Sequence, residues 1–155
     1  MSEISILFRE KFPADEGAVY GLWERSVRAT HTFLSDDDFR DIRVIVRDQY
    51  VPNATLEVAV AEDRIVGFMG MSDLHIDALF IDPDRMGAGI GKRFIARAKS
   101  KGYPITVDVN EQNTASVEFY LSQGFSVTKR LDRDSGGRPY PILYLMETEE
   151  RTRTL

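Results

Sequence analysis

The sequence predicts an α/β (α+β) fold: a mixed, mostly antiparallel central sheet of about seven strands flanked by four helices. Three observations predict it. Strand-like and helix-like hydrophobic patterns follow one another in the order β-α-α-β-β-β-α-β-α-β-β. The second and third strand patterns are joined by the tight connection Glu62-Asp63-Arg64, as in an antiparallel hairpin. A helical pattern then follows the fourth strand, so the sheet mixes hairpins with crossovers and is covered by helices.

The elements come in this order. Ile4 to Arg9 alternates and reads as an opening strand. Pro13-Ala14-Asp15-Glu16 starts a helix with acids in its first turn, and Val19, Leu22, Trp23, Ser26, Val27 and Thr30 recur at helical spacing. Ser35 is the expected N-cap of a second helix carrying Phe39, Ile42, Ile45 and Val46, which Pro52-Asn53 ends. Thr55 to Ala61 and Ile65 to Met71 form the hairpin, and Leu74 to Ile81 is a further strand. Gly89 to about Ser100 is a helix with Ile90, Phe94, Ile95 and Ala98 inward. Pro104 to Val109 is a strand, Asn113 to Ser122 a helix closed by Gly124, and Phe125 to Leu131 and Ile142 to Met146 the last strands. The polar run from Glu147 to Leu155 is expected to fray.

The 155 residues fit one domain, 1–155, with no linker long enough to divide the chain. With no cysteine there is no disulfide, no cysteine nucleophile, no thiolate zinc site and no acyl-enzyme on sulfur. The net charge of −5 argues against nucleic acid as the main ligand. No apolar run approaches the ~20 residues of a membrane helix, and no signal peptide is visible at the start. A cytoplasmic location, with neither a nucleic-acid nor a membrane partner, is the expectation.

The most informative stretch is Asp82-Pro83-Asp84-Arg85-Met86-Gly87-Ala88-Gly89-Ile90-Gly91-Lys92-Arg93. Three glycines at alternate positions lie between a strand and a helix. Glycine tolerates positive φ and lets a ligand approach the backbone. The amides of the first helical turn and the helix dipole then favour an anion, and Lys92 and Arg93 add positive charge. A plain turn is the simpler reading, but three glycines in five residues would be costly for one. The stretch reads as a phosphate or pyrophosphate cradle. A P-loop fails, because Arg93 follows Gly91-Lys92 and no glycine lies five residues before Gly91. A dinucleotide fingerprint, with Asp108 as ribose acid, is the better rival. The spacing here is G-x-G-x-G, however, and only 47 residues follow Asp108, too few for the rest of a doubly wound sheet.

Leu79-Phe80-Ile81-Asp82-Pro83-Asp84 followed by Met86-Gly87-Ala88-Gly89-Ile90-Gly91 resembles the acetyl-CoA loop of the GNAT N-acetyltransferases, [QR]-x-x-G-x-[GA] after a hydrophobic strand. The family's Gln or Arg falls on Met86, with Arg85 one position early. Asn113-Thr114-Ala115-Ser116-Val117-Glu118-Phe119-Tyr120-Leu121-Ser122-Gln123-Gly124-Phe125 resembles a second signature, N-x-x-[AS]-x-x-[FL]-Y-x-x-x-G-F. The two lie in the family's order, about 22 residues apart, and the element order over the whole chain is also the family's. More narrowly, Trp23 to Leu34 and Gly137-Arg138-Pro139-Tyr140-Pro141 are similar to a group of small bacterial GNAT proteins of loosely assigned acceptor.

The resemblance implies an acetyl-CoA-dependent N-acetyltransferase that moves an acetyl group to an amine of a small molecule, peptide or protein, without a metal. With no cysteine, direct attack in a ternary complex is the natural route. The resemblance places main-chain groups of Leu79, Phe80 and Ile81 along the pantetheine arm, in a slot between splayed strands, with an oxyanion contact there. It places Met86, Gly87, Ala88, Gly89, Ile90, Gly91 and Lys92 at the pyrophosphate and Asn113 at the cofactor. It makes Tyr120 the general acid that protonates the departing thiolate. A phenol titrates near ~10, close to a thiol near ~8.5. Seven residues apart, Asn113 and Tyr120 share a helix face. Helix physics alone makes them an N-cap and a core aromatic.

The general base stays open among Asp108, on the strand after the loop's helix, His75, on the strand before the loop together with Asp77, His31, after the first helix, and no residue at all, with water carrying the proton away. Each residue has a plainer reading: a turn acid, an edge-strand charge or a surface histidine. Trp23, Phe33, Leu34 and Phe39 either line the acceptor pocket or form core. Asp36-Asp37-Asp38 either attracts a cationic acceptor or is a solvated helix start. A homodimer is possible in this family. The rival function is a non-catalytic acyl-CoA binding module, against which the retained Tyr120 argues.

Overall fold

The structure, a computed structural model, describes residues 5–148. Its seven-stranded sheet has the order β1-β2-β3-β4-β5-β7-β6, where β1 is Leu7–Glu10, β2 Leu56–Ala61, β3 Arg64–Ser72, β4 His75–Ile81, β5 Thr106–Asn110, β6 Phe125–Leu131 and β7 Ile142–Glu147. The ladders β1·β2, β2·β3, β5·β7 and β6·β7 are antiparallel, and β4·β5 is parallel. A mixed, mostly antiparallel sheet is what the element order predicts. Among the described residues, those up to Met71 together with Asp77–Phe94 make one compact unit, and Ser72–Ile76 with those from Ile95 onward make the other.

In the first unit, α1 (Glu16–Thr30) follows a 3-10 turn at Pro13–Asp15, and α2 (Asp36–Ile45) is capped by Ser35, whose hydroxyl accepts from Asp38 N–H at 3.1 Å. Val19, Leu22, Trp23 and Val27 of α1 are buried against Val51, Leu56, Val58 and Phe68. Trp23 stacks on Phe39 at 5.9 Å, and Leu34 and Phe39 pack on this core. The helical run goes on through a π-helical turn, Val46–Tyr50, and α3 (Val51–Asn53). Ile42 and Val46 pack inward, whereas Ile45 is exposed, because one helix face cannot bury two adjacent residues equally. The π turn carries Tyr50 to β3, where a Cβ at Gly70 would collide with the Tyr50 hydroxyl.

The opening strand is shorter than expected. It starts at Leu7 because its ladder runs from Leu7↔Val60 to Glu10↔Glu57 and the partner strand ends at Ala61. Ile4 of the expected strand lies outside the described residues.

In the second unit, α5 (Thr114–Ser122) lies between β5 and β6 in sequence. The helix α4 (Ile90–Lys99) begins in the first unit and ends in the second, with Ile90, Phe94, Ile95 and Ala98 buried, the four residues its pattern predicts. Glu147 is a correction. It closes β7 fully buried, where a frayed tail is expected. Its N–H donates to Ile105 O at 2.8 Å, its Oε1 accepts from Ile105 N–H at 3.2 Å, and Lys99 Nζ lies 3.8 Å from Oε2. A buried carboxylate held by a backbone donor and a cation is a stable end to a strand. Residues 149–155 of that expected tail lie outside the described ones.

Candidate active site

The glycine loop is built from its anchors. Asp82 closes β4, its N–H donating to Val66 O at 2.9 Å. Its buried carboxylate accepts from Asp84 N–H at 3.0 Å through Oδ1 and pairs with Arg25 of α1 at 3.1 Å through Oδ2. Pro83–Arg85 is one 3-10 turn, which Pro83 favours by its fixed φ. Arg85 pairs with Glu62 of the β2–β3 turn at 3.1 Å. The basic side chain one place before the family's position is therefore held at the hairpin, and Met86, at the position itself, stands 63% exposed.

Gly87 and Gly89 have φ of +85° and +81°, and a Cβ at either would meet nothing within 4 Å. Dihedral demand, and not crowding, requires glycine at both. The first bond into α4 is Arg93 N–H to Gly89 O at 3.1 Å. The amides of Ile90, Gly91 and Lys92 precede it and have no partner within the helix ladder. Three such donors at a helix N-terminus suit a pyrophosphate. Arg93 lies over the Phe8 ring at 5.0 Å. Before the loop, Leu79, Phe80 and Ile81 are half-buried on β4, with Phe80 stacked on Phe68 at 5.5 Å.

His31 also belongs to the first unit. It caps the end of α1, its N–H donating to Val27 O at 2.7 Å. Nδ1 is 2.7 Å from Thr30 Oγ1, and the ring lies 5.3 Å from that of Phe33. Burial pulls the imidazole down to about 4, so it is neutral at pH 7 and a weak proton acceptor. Asp36, Asp37 and Asp38 form the first turn of α2, where the helix dipole favours acids, and Asp37 pairs with Arg40 at 2.8 Å.

In the second unit, Asn113 is the N-cap of α5, its Oδ1 accepting from Ser116 N–H at 3.3 Å. Tyr120, two turns on, is buried, with Phe119 and Phe125 edge-on at 5.2 and 5.5 Å. Burial pushes its phenol above the ordinary value. The proton stays on the phenol at neutral pH, and burial widens the gap to a thiol that the ordinary values leave small.

Two candidate bases come together in this unit. The parallel register pairs His75 of β4 with Thr106 of β5, and Asp108 lies two residues on, on the same face as Thr106. His75 Nδ1 is 2.6 Å from Thr106 Oγ1, and His75 Nε2 is 3.6 Å from Asp108 Oδ1. The His75 and Asp108 side chains are 30% and 40% exposed, within reach of solvent. Thr106 carries no motif, and only the register of two strands 31 residues apart reveals it. Arg25 lies within the Trp23 to Leu34 segment, but its pairing with Asp82, 57 residues on, is not legible there. Among the described residues no group of three or more His, Cys, Asp or Glu could hold a metal ion.

A mixed sheet with a glycine cradle at the start of α4 and a buried tyrosine on the next helix defines a class. The family model for the acetyltransferase (GNAT) domain matches residues 27–141, and the chain belongs to the GNAT acetyltransferase family. It is an acetyl-CoA-dependent N-acetyltransferase, with acetyl-CoA as co-substrate. Among its relatives, the peptidyl-lysine N-acetyltransferase YjaB of Salmonella typhimurium is 48% identical over 81% of this chain and 86% of its own. YjaB of Escherichia coli is also 48% identical, over 80% and 84%. A solution structure of the apo form of Escherichia coli YjaB superposes with a TM-score of 0.89 at 42% identity, covering 95% of this chain and 100% of that one.

Proposed function

We propose that this enzyme acetylates the ε-amine of a lysine in a peptide or protein by direct attack on bound acetyl-CoA. The likeness to two YjaB enzymes named as peptidyl-lysine N-acetyltransferases, over four-fifths of each chain, carries the choice of acceptor. The absence of cysteine supports direct transfer, since it removes an acyl-enzyme on sulfur.

In this reading the main chain of Gly87 to Lys92 binds the pyrophosphate, and the exposed Met86 side chain adds little. Main-chain groups of Leu79, Phe80 and Ile81 hold the pantetheine arm and the carbonyl oxygen. Asn113 fixes the start of the helix that carries Tyr120 and lies beside the cofactor. The lysine nitrogen forms a bond to the thioester carbon, and the carbon–sulfur bond breaks. The thiolate takes the Tyr120 proton, which burial keeps on the phenol until that moment. The nitrogen gives its surplus proton to a base, and solvent returns the base and Tyr120 to their starting states. A lysine that arrives as ammonium thus releases one proton per turnover. The contact between His75 and Asp108 favours that pair as the base over His31, whose ring burial makes a poor acceptor.

We propose further a single domain, 1–155, since the family model runs through both units. A cytoplasmic setting, and a homodimer as the assembly, complete the reading. Among the described residues no helix is long and apolar enough to cross a membrane. The test is free-thiol release with mass spectrometry, offering peptides with either the lysine or the N-terminus blocked, beside polyamines, aminoglycosides and amino acids. Acetylation confined to unblocked lysine is expected. Transfer only to the small amines would overturn the acceptor assignment.

A further inference from the structure

His75, Thr106 and Asp108 form a chain whose direction can be read. A neutral imidazole carries one N–H and one lone pair. The carboxylate of Asp108 faces Nε2 at 3.6 Å and can only accept. The proton of the neutral ring therefore sits on Nε2, since a lone pair there would oppose the carboxylate charge. Nδ1 is then the acceptor, and the 2.6 Å contact requires Thr106 to donate its hydroxyl to it. Thr106 is fixed in turn, because its N–H donates to Leu74 O at 3.0 Å and its neighbour Val107 pairs with Ile76. The lone pair that would make His75 a base is thus already occupied.

We infer that Thr106 and His75 are positioning residues: the Thr106 hydroxyl donates to His75 Nδ1, His75 Nε2–H is turned to Asp108, and Asp108 alone takes the proton from the amine. This rests on the reading above that the His75–Asp108 pair is the base, and it assigns the roles within the pair. The step balances. The acceptor nitrogen loses one proton, directly or through one water, and the Asp108 carboxylate becomes a carboxylic acid that solvent later deprotonates. His75 keeps its single proton throughout, and Thr106 keeps its own.

The chain holds only two histidines, so a long-range 15N–1H spectrum of the imidazoles contains two spin systems, and a His31→Gln variant assigns them. At pH 8.5, where ordinary imidazoles are neutral, His75 is expected as the Nε2–H tautomer in the wild-type protein. The Thr106→Val variant keeps a β-branched side chain for the strand and removes the donor. It is expected to move the His75 Nδ1 resonance and to lower kcat about tenfold, a fraction of the 10²–10⁴ a positioned base contributes. KM for acetyl-CoA should stay unchanged, and Thr106→Ser should restore both signals. An Nδ1–H tautomer in the wild-type protein, or wild-type kcat in Thr106→Val, would overturn the inference. Full turnover in Asp108→Asn with an unchanged tautomer would instead sink the base assignment itself, and the proposed role of Thr106 with it.

Discussion

The glycine loop and the β4–β5 cluster solve different problems with different portions of the chain. In the proposed reading the working groups of the loop are main-chain amides, and the side chains around it serve as anchors: Asp82 to Arg25, Arg85 to Glu62, Arg93 to Phe8. Met86 stands exposed at the one position where the family's pattern has a polar side chain. In the second unit every proposed role belongs to a side-chain atom: the Tyr120 phenol, the Asp108 carboxylate, the His75 ring, the Thr106 hydroxyl. A main-chain site tolerates changes of side chain and fails when a dihedral angle is denied. A side-chain site fails when one oxygen is removed, even though the backbone is untouched.

The largest effect is expected at Tyr120. Tyr120→Phe removes one oxygen from a packed aromatic position, and kcat is expected to fall about 100-fold with KM for acetyl-CoA unchanged. Turnover within a factor of two of wild type, measured by thiol release, would end the role of the phenol.

His31 is a titratable side chain outside both groups, with no chemistry assigned to it. Its folded value near 4 lies below the ordinary 6.5, so the unfolded chain binds the proton more readily. The stability it contributes is present above pH 6.5 and is lost as pH falls from there towards 4. The unfolding free energy from urea titrations should therefore drop by about 2 kcal/mol between pH 7 and pH 4.5, and His31→Gln should flatten that slope. An equal slope in the variant would assign the loss to carboxylates instead.

Next comes Gly89→Ala. The open space around it leaves the positive φ as the sole obstacle, costing about 1 to 2 kcal/mol of backbone strain. KM for acetyl-CoA should rise about tenfold, with kcat at saturation near wild type. The smallest effect is expected at Met86→Ala: KM for acetyl-CoA within about twofold, as for a surface change. A tenfold rise there would show that the loop depends on its side chains after all.

The same division decides what the sequence reveals. A positive φ has a residue type that signals it, so Gly87 and Gly89 stand out between a strand and a helix before any coordinates. The hydrophobic face of α4 is equally legible, because helical spacing alone brings Ile90, Phe94, Ile95 and Ala98 inward. Thr106 is not, because its contact with His75 depends on a parallel register set across an intervening helix. Glu147 reads as the start of a polar tail and is a buried strand end, since its partners, Ile105 and Lys99, lie far away in sequence. The π turn at Val46–Tyr50 is likewise hidden, because the phase shift of one extra residue has only Val51–Asn53 after it in which to show.

The most direct measurement is a calorimetric titration of acetyl-CoA into Tyr120→Phe and Gly89→Ala, each set beside its turnover. A crossed result is expected: Tyr120→Phe binds acetyl-CoA as the wild type does and transfers slowly, and Gly89→Ala binds about tenfold more weakly and transfers normally once saturated. Loss of binding in the first variant, or wild-type binding in the second, would contradict it.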